Sequence, residues 1–250
     1  MADVLTVLRA TVFNLAFFGW TVVCLFAGLP FLPFWDRRQV RAYARFWERG
    51  IQRLLGSIVG LHYEVRGRDR LPAGAVLIAS KHQSAWETLT FHLLVEDLAV
   101  GLKEELTRIP FFGTYLLRAG NIRIDRGEGA RALRSLVAGA REAVARGESV
   151  LIFPEGTRRE PGAPPAYKPG VAALYRALAV PCVPVALNSG LFWGRRSFLK
   201  RPGTVLVEFL EPIPPGLDRD RFMQLLEERI ETATARLLAE AEKARVGEAG

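Results

Sequence analysis

Ala75-Val76-Leu77-Ile78-Ala79-Ser80-Lys81-His82-Gln83-Ser84-Ala85-Trp86-Glu87 is the stretch that decides the fold. Its aliphatic run, bounded upstream by Pro72 and Gly74, reads as a short buried strand. A helix start follows at once, with Ser84 as N-cap and Glu87 three residues later. The histidine between them falls where open α/β sheets hold ligands, beyond the carboxyl end of a strand. Two uses of these side chains are open. Ser84 and Glu87 can form a capping box that only satisfies backbone donors. Alternatively, His82 can take a proton from a hydroxyl while Glu87 holds its ring in the right tautomer.

Outward from this stretch, strand and helix patterns alternate. Strands are expected at Leu61–Val65, Ala75–Ala79, Leu98–Leu102, Asn121–Ile124, Val150–Phe153, Cys182–Leu187 and Thr204–Phe209, and helices at Ala85–Val95, Gly129–Arg146, Gly170–Leu178 and Arg221–Ala244. Such alternation predicts an α/β fold: a layered, mostly parallel sheet of about seven strands flanked by helices. This domain is expected over residues 61–250. Residues 1–60 are expected to form a membrane-associated two-helix segment, a helical hairpin.

The reading of that segment rests on hydropathy. Ala10 to Phe34 is a run of 25 residues without a charge. Pro30 and Pro33 stop a helix near Leu29, leaving roughly 30 Å of helix, the thickness of a bilayer's hydrocarbon. Trp20 and Trp35 suit membrane interfaces, and Arg37 and Arg38 follow. From Arg38 to Leu61 the apolar positions Val40, Ala44, Trp47, Ile51, Leu54, Leu55 and Ile58 share one helix face. Arg41, Arg45, Arg49 and Arg53 recur on another. A basic amphipathic helix behind a hydrophobic one reads as lying on an anionic lipid surface; an ordinary domain helix with a solvated arginine face is the competing reading.

Composition narrows the classes further. The 250 residues carry 34 basic and 26 acidic side chains, a net charge of +8, and 29 of the basic residues are arginine. This balance favours anionic partners such as phosphate-bearing ligands, acidic proteins or lipid surfaces. Nucleic acid is disfavoured, because the clearest basic stripe flanks a hydrophobic segment instead of interleaving with stacking aromatics. Cys24 and Cys182 lack the spacing of a metal site, as do His62, His82 and His92, so no metal is expected.

Four more clusters fall at strand ends: Lys103; Gly120 to Arg126; Phe153-Pro154-Glu155-Gly156-Thr157-Arg158; and Val183 to Asn188. A candidate base together with Lys103, Arg126 and Arg158 suggests a site for a phosphate-bearing, hydroxyl-containing substrate. Ser84 is not read as a nucleophile, since no Gly-x-Ser-x-Gly elbow surrounds it.

In order and spacing these clusters resemble the four motifs of the glycerolipid acyltransferase family, of the 1-acylglycerol-3-phosphate acyltransferase kind, over about Leu61 to Pro212. His82 and Glu87 match the family's histidine, four residues, then an acid. Glu87 stands where the family usually has aspartate. The resemblance implies acyl transfer from a thioester, on acyl carrier protein or coenzyme A, to the sn-2 hydroxyl of lysophosphatidic acid, giving phosphatidic acid without a cofactor. It makes His82 the general base and Glu87 its partner, with Lys103, Arg126 and Arg158 on the phosphate and Glu155, Gly156 and Thr157 at the acceptor site. A bacterial-type inner membrane location is expected, and the arginines on the carboxyl-terminal flank of the hydrophobic segment favour a catalytic domain facing the cytoplasm. Hydrolysis of a thioester, and acylation of another lysolipid such as lyso-ornithine lipid, are the rival activities. Three candidate phosphate ligands argue against hydrolysis, because water needs no anion clamp.

Overall fold

The computed structural model describes residues 3–124 and 129–247, with side chains as far as residue 243. Seven strands, β1 (Leu61–Arg66), β2 (Leu77–Ser80), β3 (Leu98–Lys103), β4 (Ile122–Ile124), β5 (Ser149–Ile152), β6 (Cys182–Leu187) and β7 (Gly203–Phe209), form one sheet in the order β1-β7-β6-β2-β5-β3-β4. Among the described residues every strand pairing is parallel except that of β6 with β7. The expected strands are all present, most within two residues of their expected ends. The four residues of β2 are buried throughout, which is why Leu77 to Ala79 form a continuous apolar run instead of an alternation.

Both faces of the sheet are covered. Leu77, Ala79, Val150 and Cys182 point to a layer made by α6 (Ala130–Ala145), α7 (Gly170–Leu178) and α8 (Arg219–Gly247), against Leu136, Leu174 and Leu226. Ile78, Leu98, Leu151 and Val183 point the other way, into a core shared with Phe13 of α1 (Val4–Gly28) and with Ile51 of α2 (Arg37–Leu54). The N-terminal helices therefore pack on the sheet.

Asp3 caps α1 by accepting from the Thr6 amide at 2.6 Å, and the helix ends ahead of Pro30. A capping box between Asp36 and Gln39 starts α2. The two helices run antiparallel: Trp20 Nε1 donates to Trp47 O at 3.0 Å, and Tyr43 Oη donates to Cys24 O at 2.7 Å. Gly50 permits this approach, since a Cβ there would lie 2.2 Å from Trp20 Nε1. The outer face of α1 exposes Leu8, Leu15, Phe18, Val22 and Phe26. By length and composition α1 could cross a membrane, and an uncovered apolar face of this size indicates membrane association.

Two expectations are corrected. The helix expected at Ala85–Val95 is a 3₁₀ turn at Glu87–Leu89 and a single α turn, α3 (Phe91–Leu94). A distant side chain takes a backbone acceptor here: Gln52 Nε2 donates to Leu89 O at 3.4 Å as well as to Thr90 Oγ1 at 3.0 Å, and the Leu93 amide donates to Thr90 O at 2.8 Å instead of to Leu89 O. Glu87 is turned back onto the amides of Gln83 and Ser84. Two short helices, α4 (Glu104–Thr107) and α5 (Phe112–Arg118), then follow β3.

The arginine stripe of α2 is also divided. Arg49 and Arg53 are exposed, but Arg45 reaches Glu96. Arg41 is 2% exposed and bonds to Ala119 O, with Asp97 and Glu148 beside it. Burial raises the Glu148 carboxyl, but hydrogen bonds from Arg146, Arg37 and Arg41 overcome this and bring it down to about 2. A carboxyl held below its ordinary value stabilises the fold above that value and loses the effect as pH falls toward the folded one. Glu148→Gln is therefore expected to cost about 2 kcal/mol at pH 7, leaving the buried Arg41 short of an acid. Urea unfolding measured at several pH values should show the deficit constant down to about pH 5 and shrinking between 4.5 and 2; a pH-independent deficit would contradict this account.

Candidate active site

Because β2, β3, β5 and β6 run in one direction, their carboxyl ends open on the same edge of the sheet. This is where an open α/β sheet offers a crevice. The loop after β2 delivers His82, the last residue of β3 is Lys103, the turn after β5 supplies Gly156 to Arg158, and Ser189 follows β6.

His82 Nδ1 lies 3.0 Å from Glu87 Oε1. The same oxygen accepts the amides of Gln83 and Ser84, each at 2.6 Å, while Oε2 accepts from Ser189 Oγ at 2.8 Å. Glu87 is 0% exposed. One carboxylate thus both satisfies the amides of the turn and orients the imidazole, while Ser84 Oγ accepts from the Trp86 amide and does not cap Glu87. With Glu87 accepting at Nδ1, that nitrogen carries the hydrogen and Nε2 is the basic atom. The ring stacks on Phe153 with centroids 3.9 Å apart and planes 15° apart, which leaves it little freedom to turn.

His82 lines a cavity of about 600 Å³. One part of the wall is apolar, with Phe17 and Leu25 from α1, Val40 and Trp47 from α2, and Phe112 and Leu116 from α5. The other carries Lys103, Gly156, Thr157 and Arg158, joined by Arg195 and Arg196. Gly156 holds φ 65°, where glycine is the unstrained residue. Burial lowers the proton affinity of the Arg158 guanidinium, the nearby Glu87 opposes this, and Arg195 adds to it. Among the described residues Lys103, Arg158, Arg195 and Arg196 make no ion pair with a carboxylate. Arg126 lies outside the described residues.

Glu155 is brought to the loop in another way. It is buried and is not part of the cavity wall. Its Oε2 accepts the His82 amide at 3.1 Å, and its Oε1 accepts from Lys81 Nζ at 2.9 Å. Lys81 also donates to both oxygens of Glu231 on α8, at 2.7 and 3.0 Å, and Tyr167 Oη donates to Glu231 Oε1 at 2.8 Å. Burial pushes the Glu155 carboxyl above its ordinary range against the pull of Lys81 and the His82 amide, and Glu231 adds to the rise.

Sequence reading missed Lys81, Ser189, Glu231 and the Arg195-Arg196 pair. The first three act through partners 74 to 150 residues away, which one sequence does not reveal. The paired arginines were visible but followed none of the motifs. Chemically, an oriented imidazole beside several cations, at the mouth of an apolar cavity, can deprotonate the hydroxyl of an anionic amphiphile.

Residues 62–188 match the sequence family described as Acyltransferase. The chain is 34% identical over 235 residues to a 1-acyl-sn-glycerol-3-phosphate acyltransferase of Pseudomonas aeruginosa, covering 94% of this chain and 90% of that protein. It is 28% identical over 211 residues to one from Cocos nucifera, covering 84% of this chain and 68% of that protein. The crystal structure of the 1-acyl-sn-glycerophosphate acyltransferase from Thermotoga maritima superposes with a TM-score of 0.76 at 23% identity, covering 93% of this chain and 97% of that one. That likeness agrees with the sheet and the packed N-terminal helices described above. The chain belongs to the 1-acyl-sn-glycerol-3-phosphate acyltransferase family.

Proposed function

We propose that this chain transfers an acyl group from a thioester to the free sn-2 hydroxyl of lysophosphatidic acid, giving phosphatidic acid. The observation that carries the reading is the His82–Glu87 pair at an apolar cavity whose rim holds Lys103 and Arg158. His82 Nε2 takes the hydroxyl proton as the oxygen attacks the thioester carbonyl, and the carrier leaves as its thiol. Glu87 steadies the imidazolium formed in that step. Lys103 and Arg158 hold the lipid phosphate, so that binding is converted into placement of the hydroxyl. Arg126 completes the clamp in this reading.

The apolar cavity receives hydrocarbon. Phe17, Thr21 and Leu25 of α1 form part of its wall while the opposite face of the same helix is exposed. Seating that face in a bilayer brings the cavity beside the acceptor's own solvent. The enzyme acts at the cytoplasmic face of a bacterial-type inner membrane, with acyl carrier protein or coenzyme A as donor carrier.

The test is thiol release from an acyl thioester by the purified protein in detergent, with and without lysophosphatidic acid. Release that rises at least tenfold on adding the acceptor, with phosphatidic acid formed in equal amount, is the expected result. Release of free fatty acid indifferent to the acceptor would make the protein a hydrolase.

A further inference from the structure

The loop between β6 and β7 places two cations at the cavity wall that the acceptor clamp does not use, Arg195 and Arg196. Gly194, Arg195, Arg196 and Ser197 form a tight turn closed by the Ser197 amide donating to Gly194 O at 3.1 Å. The two arginines are its central pair. Arg196 sits at φ 56°, in the left-handed region that a turn ordinarily gives to glycine or asparagine. A long side chain held there is strained, and such strain persists only where the surroundings impose it.

The surroundings do impose it. Lys200 Nζ donates to Asn14 Oδ1 on α1 at 2.7 Å and to Phe198 O at 2.9 Å, and it stands 4.7 Å from the Trp193 ring centroid. The Leu199 amide donates to Ser197 Oγ at 3.1 Å. The turn is thus fastened on its carboxyl side, and both arginines remain exposed at the wall of the His82 cavity.

Neither arginine pairs with a carboxylate among the described residues, and Arg195 is close enough for Arg158 to feel its charge. Cations gathered without an acid between them repel one another, and a bound anion relieves the repulsion. Half-buried Arg158, with Lys103 at the end of β3, already matches the charge of one lipid phosphate. The exposed pair is left for a second anion, one that remains near water. An acyl transfer has a second substrate, and in both thioester carriers the acyl group hangs on a pantetheine arm that ends in phosphate.

We propose that Arg195 and Arg196 form an anion subsite for the phosphate at the end of the acyl donor's pantetheine arm. The subsite rests on the acyl-transfer reading given above. Its geometry lets the acyl chain enter the apolar cavity past His82 while the phosphate stays at the exposed rim.

The test compares two donors that differ only in this group, acyl-phosphopantetheine and acyl-pantetheine, at saturating lysophosphatidic acid. The wild type is expected to favour the phosphorylated donor at least tenfold in kcat/KM, and R195A/R196A to favour it less than twofold. R195K/R196K should keep most of the preference, since charge is retained. Arg196→Gly relaxes the turn, so its thermal midpoint should equal or exceed that of the wild type while the preference falls about threefold. A wild type with no preference, or a preference that survives in R195A/R196A, overturns the subsite. With the natural carriers, R195A/R196A should lose with both acyl-coenzyme A and acyl carrier protein. A loss confined to the carrier protein assigns the arginines to its acidic surface and overturns the phosphate subsite. Failure of the wild type to form phosphatidic acid from any donor would instead bring down the underlying acyl-transfer reading.

Discussion

His82→Ala is expected to lower the rate of acyl transfer by about 10³-fold or more, close to 4 kcal/mol of transition-state stabilisation. Two imidazoles line the cavity with one nitrogen engaged by a carboxylate, His82 at 3.0 Å from Glu87 and His92 at 2.9 Å from Glu48. Of these, His82 is the one on the loop at the carboxyl end of β2, against the turn that carries Arg158. Without it the acceptor hydroxyl attacks while still holding its proton, or gives it to water. The loss should fall on kcat, with the acceptor's KM changing little, since Lys103 and Arg158 remain in place. The variant should fold. Glu87 keeps the amides of Gln83 and Ser84 and the Ser189 hydroxyl as donors, and the losses are the Nδ1 bond to Glu87 and the stacking on Phe153. Sedimentation with lipid vesicles should be unaltered, because the exposed apolar face of α1 is untouched. Transfer within tenfold of wild type, in a variant that binds vesicles and unfolds normally, would remove His82 from the chemistry.

How much of this was legible beforehand depends on how far apart the interacting residues lie in the chain. The strand leading to His82 could be read because a strand covered on both faces is apolar at every position, as Leu77 to Ala79 are. The same holds for Cys182 to Leu187, whose bounds matched. The His82–Glu87 pair was readable because the four residues between them suffice to bring the two groups together. The helix drawn from Ala85 to Val95 failed because Gln52, on a distant helix, takes the Leu89 carbonyl that the Leu93 amide would need, and local propensity cannot register a competitor from elsewhere. Arg41 misled for a related reason. Helical spacing placed it on a basic stripe, but Glu148, more than a hundred residues on, draws it into the interior. The cavity was illegible as an object, since its walls come from α1, α2, α5 and the loop after β6.

A division of labour around the loop follows from these contacts. Glu87 and Ser189 fix the ring of His82, while Glu155 and Lys81 fix its backbone. Glu155 falls within the stretch that matches the Acyltransferase family, but Glu231, which completes the coordination of Lys81, comes from α8 beyond it. The last helix therefore does more than cover the sheet: it reaches the residue next to His82.

Lys81→Met should accordingly be among the most destabilising single changes in the protein, by about 3–5 kcal/mol, or roughly 10 °C in thermal midpoint. Lys81 is buried and is the shared cation of Glu155, which is fully buried, and Glu231, which is partly so. Removing the ammonium leaves two carboxylates facing each other in a site with little access to water. Burial already pushes Glu155 upward while Lys81 holds it back, so in the variant the Glu155 carboxyl must titrate higher still. A folded-state value above the unfolded one contributes stability when the group is protonated and loses it as pH rises. The variant's deficit should thus be largest at neutral and alkaline pH and shrink as the solution is acidified toward the ordinary carboxyl range. Pairing the change with Glu155→Gln should recover part of the loss at pH 7, because a neutral amide can remain buried beside the His82 amide. Chemical unfolding of K81M and K81M/E155Q across this pH range measures both effects. If K81M is uniformly mild and the second substitution makes matters worse at every pH, the buried triad does not hold the loop in the manner described.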